Sequence, residues 1–94
     1  MISQTLDDFW DCYKALPKNV REAACRAYAM WEQNHFYPSL HFKCVKDNVP
    51  ALYSVRVGLH YRALGLRETR DEEDTITWFW IGTHPEYDKL IESL

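Results

Sequence analysis

The chain has 94 residues, which suits one domain and leaves no room for a second, so residues 1–94 read as a single folding unit. Four Trp, six Tyr and four Phe give this short chain a large area to bury, which excludes a disordered polymer. A net charge of −3 excludes a uniformly basic nucleic-acid binder. Three cysteines are too few, and odd in number, for a disulfide-stapled secreted domain.

The N-terminal MISQTLDDFWDCYK has no basic start followed by an apolar run. No stretch approaches the roughly 18 apolar residues of a membrane span. With Cys12, Cys25 and Cys44 read as free thiols, the expectation is a soluble protein of the reducing cytoplasm.

Leu6, Phe9, Trp10 and Tyr13 recur at i, i+3, i+4 and i+7 and predict a first helix, with Thr5 and Asp8 as start signals and Pro17 as its end. Trp10 is expected in the core. Val20, Ala23, Ala24, Ala27, Tyr28 and Trp31 predict a second helix that stops near Asn34, with Asn19 and Glu22 as a capping box. Leu40, Phe42 and Cys44 alternate with His41 and Lys43, as in a half-buried strand, and Lys46–Pro50 is turn chemistry. Leu52–Val57 is a strand with Tyr53, Val55 and Val57 on one face and Ser54 and Arg56 on the other. After Gly58, Tyr61–Leu66 reads as its partner and Arg67–Asp74 as an exposed charged loop. Thr75–Ile81 is the strongest strand, apolar on both faces near its end and so placed inside the sheet. Thr83 and Glu86 then cap a short C-terminal helix, with Pro85 tolerated in its first turn. The expected fold is α+β: two helices on one face of an antiparallel sheet of about four strands, then the short helix.

Side chains with chemical potential gather in the last 40 residues. From Arg56 to Arg70 four arginines and His60 stand against one acid, Glu68. This strip is either a solvated strand face or a surface for phosphates. His84 and Tyr87 share a helix face near an N-terminus, where free N–H groups favour an anion. With Arg56 and Arg62 on neighbouring strands, the set suits a phosphodiester: arginine neutralises charge on phosphorus, and His or Tyr moves protons. Each has a plainer reading. The arginines and His84 could be solvated or salt-bridged, Tyr87 could be core, and His60 lies by a turn. His41 and Cys44 share an H-x-x-C spacing without a second ligand pair, so no metal is expected, and no cysteine adjoins a base.

Tyr53-Ser54-Val55-Arg56-Val57, Tyr61-Arg62-Ala63-Leu64 and Trp80-Ile81-Gly82-Thr83-His84-Pro85-Glu86-Tyr87-Asp88-Lys89-Leu90 together resemble the RelE/ParE superfamily, the toxin halves of type II toxin–antitoxin modules. The resemblance covers roughly residues 38–91, with the two preceding helices matching the family's helical hairpin. It implies the same small sheet with two helices on one face, its first strand, ahead of the helices, missing or reduced to a few residues around Ile2. It implies an antitoxin partner lying over sheet and helices, with Trp10, Phe36 or Tyr37 as candidate contacts. In the RelE-like branch the toxin cleaves mRNA in the ribosomal A site without a metal or other cofactor. Arg62 matches the transition-state stabiliser, His84 and Tyr87 match C-terminal basic or aromatic catalytic positions, and Arg56 matches an assisting basic side chain. Lys43, Lys46, His60 and Arg67 are then the candidate RNA contacts. In the ParE-like branch the target is DNA gyrase and no RNA is cut. A purely interacting, degenerate domain is the third reading.

Overall fold

The computed structural model describes residues 1–94. Strand β1 covers Ile2–Thr5, α1 Asp7–Lys14, α2 Lys18–Gln33, β2 Lys43–Lys46, β3 Ala51–Val57, β4 Tyr61–Arg70, β5 Glu73–Thr83 and α3 His84–Ser93. A single 3₁₀ turn spans Pro38–Leu40. The strands form one sheet in the order β1-β5-β4-β3-β2. Strands β2 to β5 are the antiparallel meander that short connections dictate.

The sheet has five strands and is mixed, where about four antiparallel strands were expected. The fifth is β1, which pairs in parallel with β5, Ile2 opposite Thr75 through Thr5 opposite Trp78. Its four residues are mostly exposed, so no alternation of polar and apolar residues advertises the strand. Backbone pairing holds it, helped by Gln4 Nε2 donating to Thr77 Oγ1 at 2.9 Å. The helices and the meander between β1 and β5 supply the long crossover that parallel neighbours need.

The apolar stripe of α2 folds as its spacing dictates, burying Val20 and Trp31, and the helix ends with Asn34 as its C-cap. The expected start signals are not used. Pro17 is the N-cap of α2 and Leu6 that of α1, neither with a side-chain cap bond. Thr5 Oγ1 accepts from Trp10 Nε1 at 2.9 Å instead. That bond holds Trp10 on the surface, 44 % exposed, where core was expected. Segment 40–44 is also irregular: His41 takes a left-handed φ of 48°, and the strand begins only at Lys43.

Two cores lie on opposite faces of the sheet. On one, Leu16, Val20 and Trp31 of the helical hairpin meet Phe42, Val55, Val57, Ala63, Ile76, Trp78 and Ile81. On the other, Tyr87 of α3 meets Leu52 and Leu64, with Leu66, Phe79, Trp80, Leu90 and Ile91 around them. Arg67–Asp74, expected as a loop, is mostly paired backbone. The β4–β5 ladder continues to Arg70 opposite Glu73 and turns on Asp71 and Glu72 alone, at φ 50° and 67°. Ladder bonds form between main chains whatever the side-chain charge, so a charged ribbon is still a ribbon.

Candidate functional site

Strand alternation puts Arg56, Arg62, Leu64 and Leu66 on the α3 face of the sheet. Arg56 stands directly opposite Arg62, and Arg62 directly opposite Gly82. Neighbouring side chains in such a row lie about 4.5–5.5 Å apart at Cβ. Two guanidinium groups therefore share one patch, and neither is in a salt bridge. Arg56 Nε donates to the Gly58 carbonyl at 3.0 Å. Gly58 makes the β3–β4 turn with φ +60°, a conformation open to glycine. Arg62 is half-buried, and its Nη1 is fully buried without a hydrogen-bond partner. A desolvated guanidinium N–H without an acceptor is costly, and the rest of the half-exposed group keeps its charge open to solvent.

The α3 start lies beside this patch. His84 follows Gly82 by two residues, and its N–H donates to the His60 carbonyl at 2.8 Å, tying the helix start to the foot of β4. The predicted capping box is formed: Thr83 Oγ1 accepts from the Glu86 N–H at 3.3 Å, and Glu86 Oε1 accepts from the Thr83 N–H at 2.9 Å and its hydroxyl at 2.7 Å. Those bonds from Thr83 hold the Glu86 carboxyl below its ordinary value. The half-exposed His84 ring has Nδ1 3.1 Å from Asp88 Oδ2, one helical turn on, which leaves Nε2 for another partner. The Tyr87 ring meets the His84 ring edge-to-face at 5.7 Å and is 9 % exposed, packed among Leu52 and Leu64. Of its two sequence readings, the core environment is the one observed.

The remaining candidates divide. Lys43 pairs with Ser54 and Lys46 with Leu52, which puts both on the α3 face, along the β2 edge. His60 is exposed at the β3–β4 turn. Arg67 lies apart, on the helical-hairpin face. Its fork grips Asp74 at 3.0 and 2.8 Å, its Nη1 donates to the Tyr53 hydroxyl at 3.1 Å, and its guanidinium sits 5.1 Å from the Tyr53 ring centre. The bonds to Asp74 raise the arginine's pKa and lower that of the aspartate. One member of the patch escaped sequence reasoning. Trp80 lies over Gly82, so that a Cβ built on Gly82 would meet Cζ2 at 2.5 Å. The signal was an aromatic two residues before a glycine in a strand. No three His, Cys, Asp or Glu side chains gather into a set that could hold a metal ion. No helix is long and apolar enough to cross a membrane.

A helical hairpin thus packs on one face of a small sheet, with an arginine patch and a capped helix on the other. The chain belongs to the ParE-like toxin domain family, whose model matches residues 18–89, and with it to the RelE/ParE superfamily. Three solved structures share the fold. The YoeB/ParE toxin from Agrobacterium tumefaciens is 14 % identical, with a TM-score of 0.64 over 89 % of this chain and 99 % of that one. The archaeal RelE–RelB complex from Pyrococcus horikoshii OT3 is 14 % identical, with a TM-score of 0.66 over 87 % and 92 %. The isolated E. coli RelE toxin is 13 % identical, with a TM-score of 0.59 over 99 % and 98 %. No curated protein matches the sequence.

Proposed function

We propose that this chain is the toxin of a type II toxin–antitoxin pair and that it cuts mRNA on the ribosome, in the cytoplasm, without a metal. The observation that carries the reading is Arg62, half-buried with one unpartnered guanidinium nitrogen, one ladder step from Arg56 and beside the α3 start. Catalysis by such a patch is electrostatic: donors fixed in a partly dry site stabilise the charge that develops on a phosphodiester. The 2′-oxygen attacks phosphorus as its proton leaves, and the P–O5′ bond breaks. The products are a 2′,3′-cyclic phosphate and a 5′-hydroxyl. Arg62 and Arg56 neutralise the phosphorane. His84, oriented through Nδ1 by Asp88, offers Nε2 for proton transfer. Tyr87 is a positioning residue whose ring backs the imidazole. Lys43, Lys46 and His60 extend the patch toward the RNA backbone, while Arg67 is engaged by Asp74.

The antitoxin has its own seat in this reading. The helical hairpin and the sheet enclose a groove of about 460 Å³ lined mainly by apolar side chains, among them Phe9, Trp10, Tyr13, Tyr28 and Trp78. Its aromatic rim suits an apolar segment of a partner protein. The Pyrococcus horikoshii relative, solved as a RelE–RelB complex, supports such a partner here.

A second reading, a gyrase poison that cuts nothing, draws support from the ParE-like description of the matching family and from the net charge of −3. Induced expression in a bacterial host separates the two, with growth and mRNA 5′ ends recorded for the wild type and Arg62→Ala. The nuclease reading expects arrest with new internal mRNA ends, both lost in the variant. Arrest without new ends supports the gyrase poison, and neither effect from a folded protein contradicts both.

A further inference from the structure

Trp80 lies on the same face of β5 as Gly82, the face of Arg56 and Arg62. Gly82 has no side chain, so the row that runs from Arg56 through Arg62 has an open slot at its third place. The six-membered ring of Trp80 fills it: a Cβ on Gly82 would meet Cζ2 at 2.5 Å and Cη2 at 2.9 Å. Across the strands the face therefore reads guanidinium, guanidinium, indole. Trp80 also packs against the core of Leu52, Leu64 and Tyr87, which fixes the plane of the ring, and it is only half-buried. Glu86 Oε1, 3.2 Å from the same Cβ position on Gly82, is committed elsewhere, since it accepts both Thr83 donors. Nothing anionic pairs with the two guanidinium groups beside the ring.

A cation that holds a phosphate, with a fixed aromatic plane one ladder step away, fits one nucleotide of a single strand. Side chains one ladder step apart, about 4.5–5.5 Å at Cβ, are near enough for one nucleotide to touch both. Single-stranded RNA is read this way, by splaying a base onto an aromatic side chain. We propose that Trp80 is the base-stacking residue of the site. Its indole receives the base of the nucleotide whose phosphate Arg62 holds, and its large π surface favours a purine there. The inference rests on the nuclease reading above and adds a specificity-determining residue to it.

The test maps mRNA 5′ ends after induction of the wild type, Trp80→Phe, Trp80→Leu and Gly82→Ala, with a urea transition recorded for each. The wild type is expected to cut with a purine enriched at one fixed position beside the cut. Trp80→Phe keeps an aromatic plane and keeps that enrichment. Trp80→Leu loses it and cuts at least about fivefold less efficiently, the lower bound for one base stack. Gly82→Ala drives the indole out of its slot while leaving it in the chain, and loses the enrichment too. If Trp80→Leu folds and cuts with wild-type efficiency and preference, the stacking role is overturned and the nuclease reading stands. If Trp80→Leu does not fold, Gly82→Ala decides, and retained preference there overturns the role. A wild type that cuts no mRNA overturns both.

Discussion

A Cβ on Gly65 would come within 2.9 Å of Ile76 Cγ1 and of Trp78 Cε3. Glycine is required there by close packing, at the irregularity in the β4–β5 register that follows Leu64. Gly65→Ala is expected to cost about 1–3 kcal/mol, read from the urea midpoint, because a methyl group must displace two core side chains. Leu64, with no exposed surface, sets the other limit: Leu64→Ala should cost about 2–5 kcal/mol by the same measurement. At this scale alternation along a strand reveals faces but not partners. Ser54 and Arg56 were assigned to one face and Tyr53, Val55 and Val57 to the other, and the register agrees. Nothing in the chain marked Arg67 as the residue that Asp74 would hold and Arg62 as the one left free, because that choice depends on which strand meets which. Trp10 belongs to a stripe broader than the surface it covers, so its outer member stays on the rim.

The helices and turns carry the sharper signals and the sharper failures. The box of Thr83 and Glu86 was legible because capping is local chemistry at fixed spacing. Thr83→Ala should cost about 1 kcal/mol in the urea transition. Glu86 also makes stability depend on pH. Its folded pKa is lowered from the ordinary 4.5, so the ionised carboxylate contributes stability above that value and loses it as pH falls through the lowered one. Between pH 6 and pH 3 the wild type should therefore lose more stability than Glu86→Gln, seen as a larger drop in urea midpoint. The Asp71–Glu72 turn was hidden because its two left-handed residues are not the glycine or asparagine that normally announce one. Replacing them by Asn-Gly should raise the urea midpoint, since each non-glycine left-handed residue costs on the order of 1 kcal/mol. Strand β1 was illegible for another reason: a short edge strand paired through its backbone needs no particular side chains.

Across the whole molecule, a net charge of −3 coexists with a local patch of the opposite sign, because the register of three consecutive meander strands brings Lys43, Arg56 and Arg62 onto one face. Total charge governs long-range steering, whereas transition-state charge is met within a few ångströms. An acidic chain can therefore carry an anion site. The aromatic groove beneath the helical hairpin and the arginine patch beside the start of α3 lie on opposite faces of the sheet. The central claim, that Arg62 makes this patch a ribonuclease site, is tested most directly with purified, antitoxin-free protein. It is added to ribosomes programmed with a defined mRNA, with chelator present and gyrase absent, and strand cleavage in the A site is measured. Cleavage by the wild type is expected, with a loss of about 10²–10³-fold in a folded Arg62→Ala. Intact mRNA with the wild type, together with inhibited supercoiling when gyrase is supplied in a separate reaction, would contradict it.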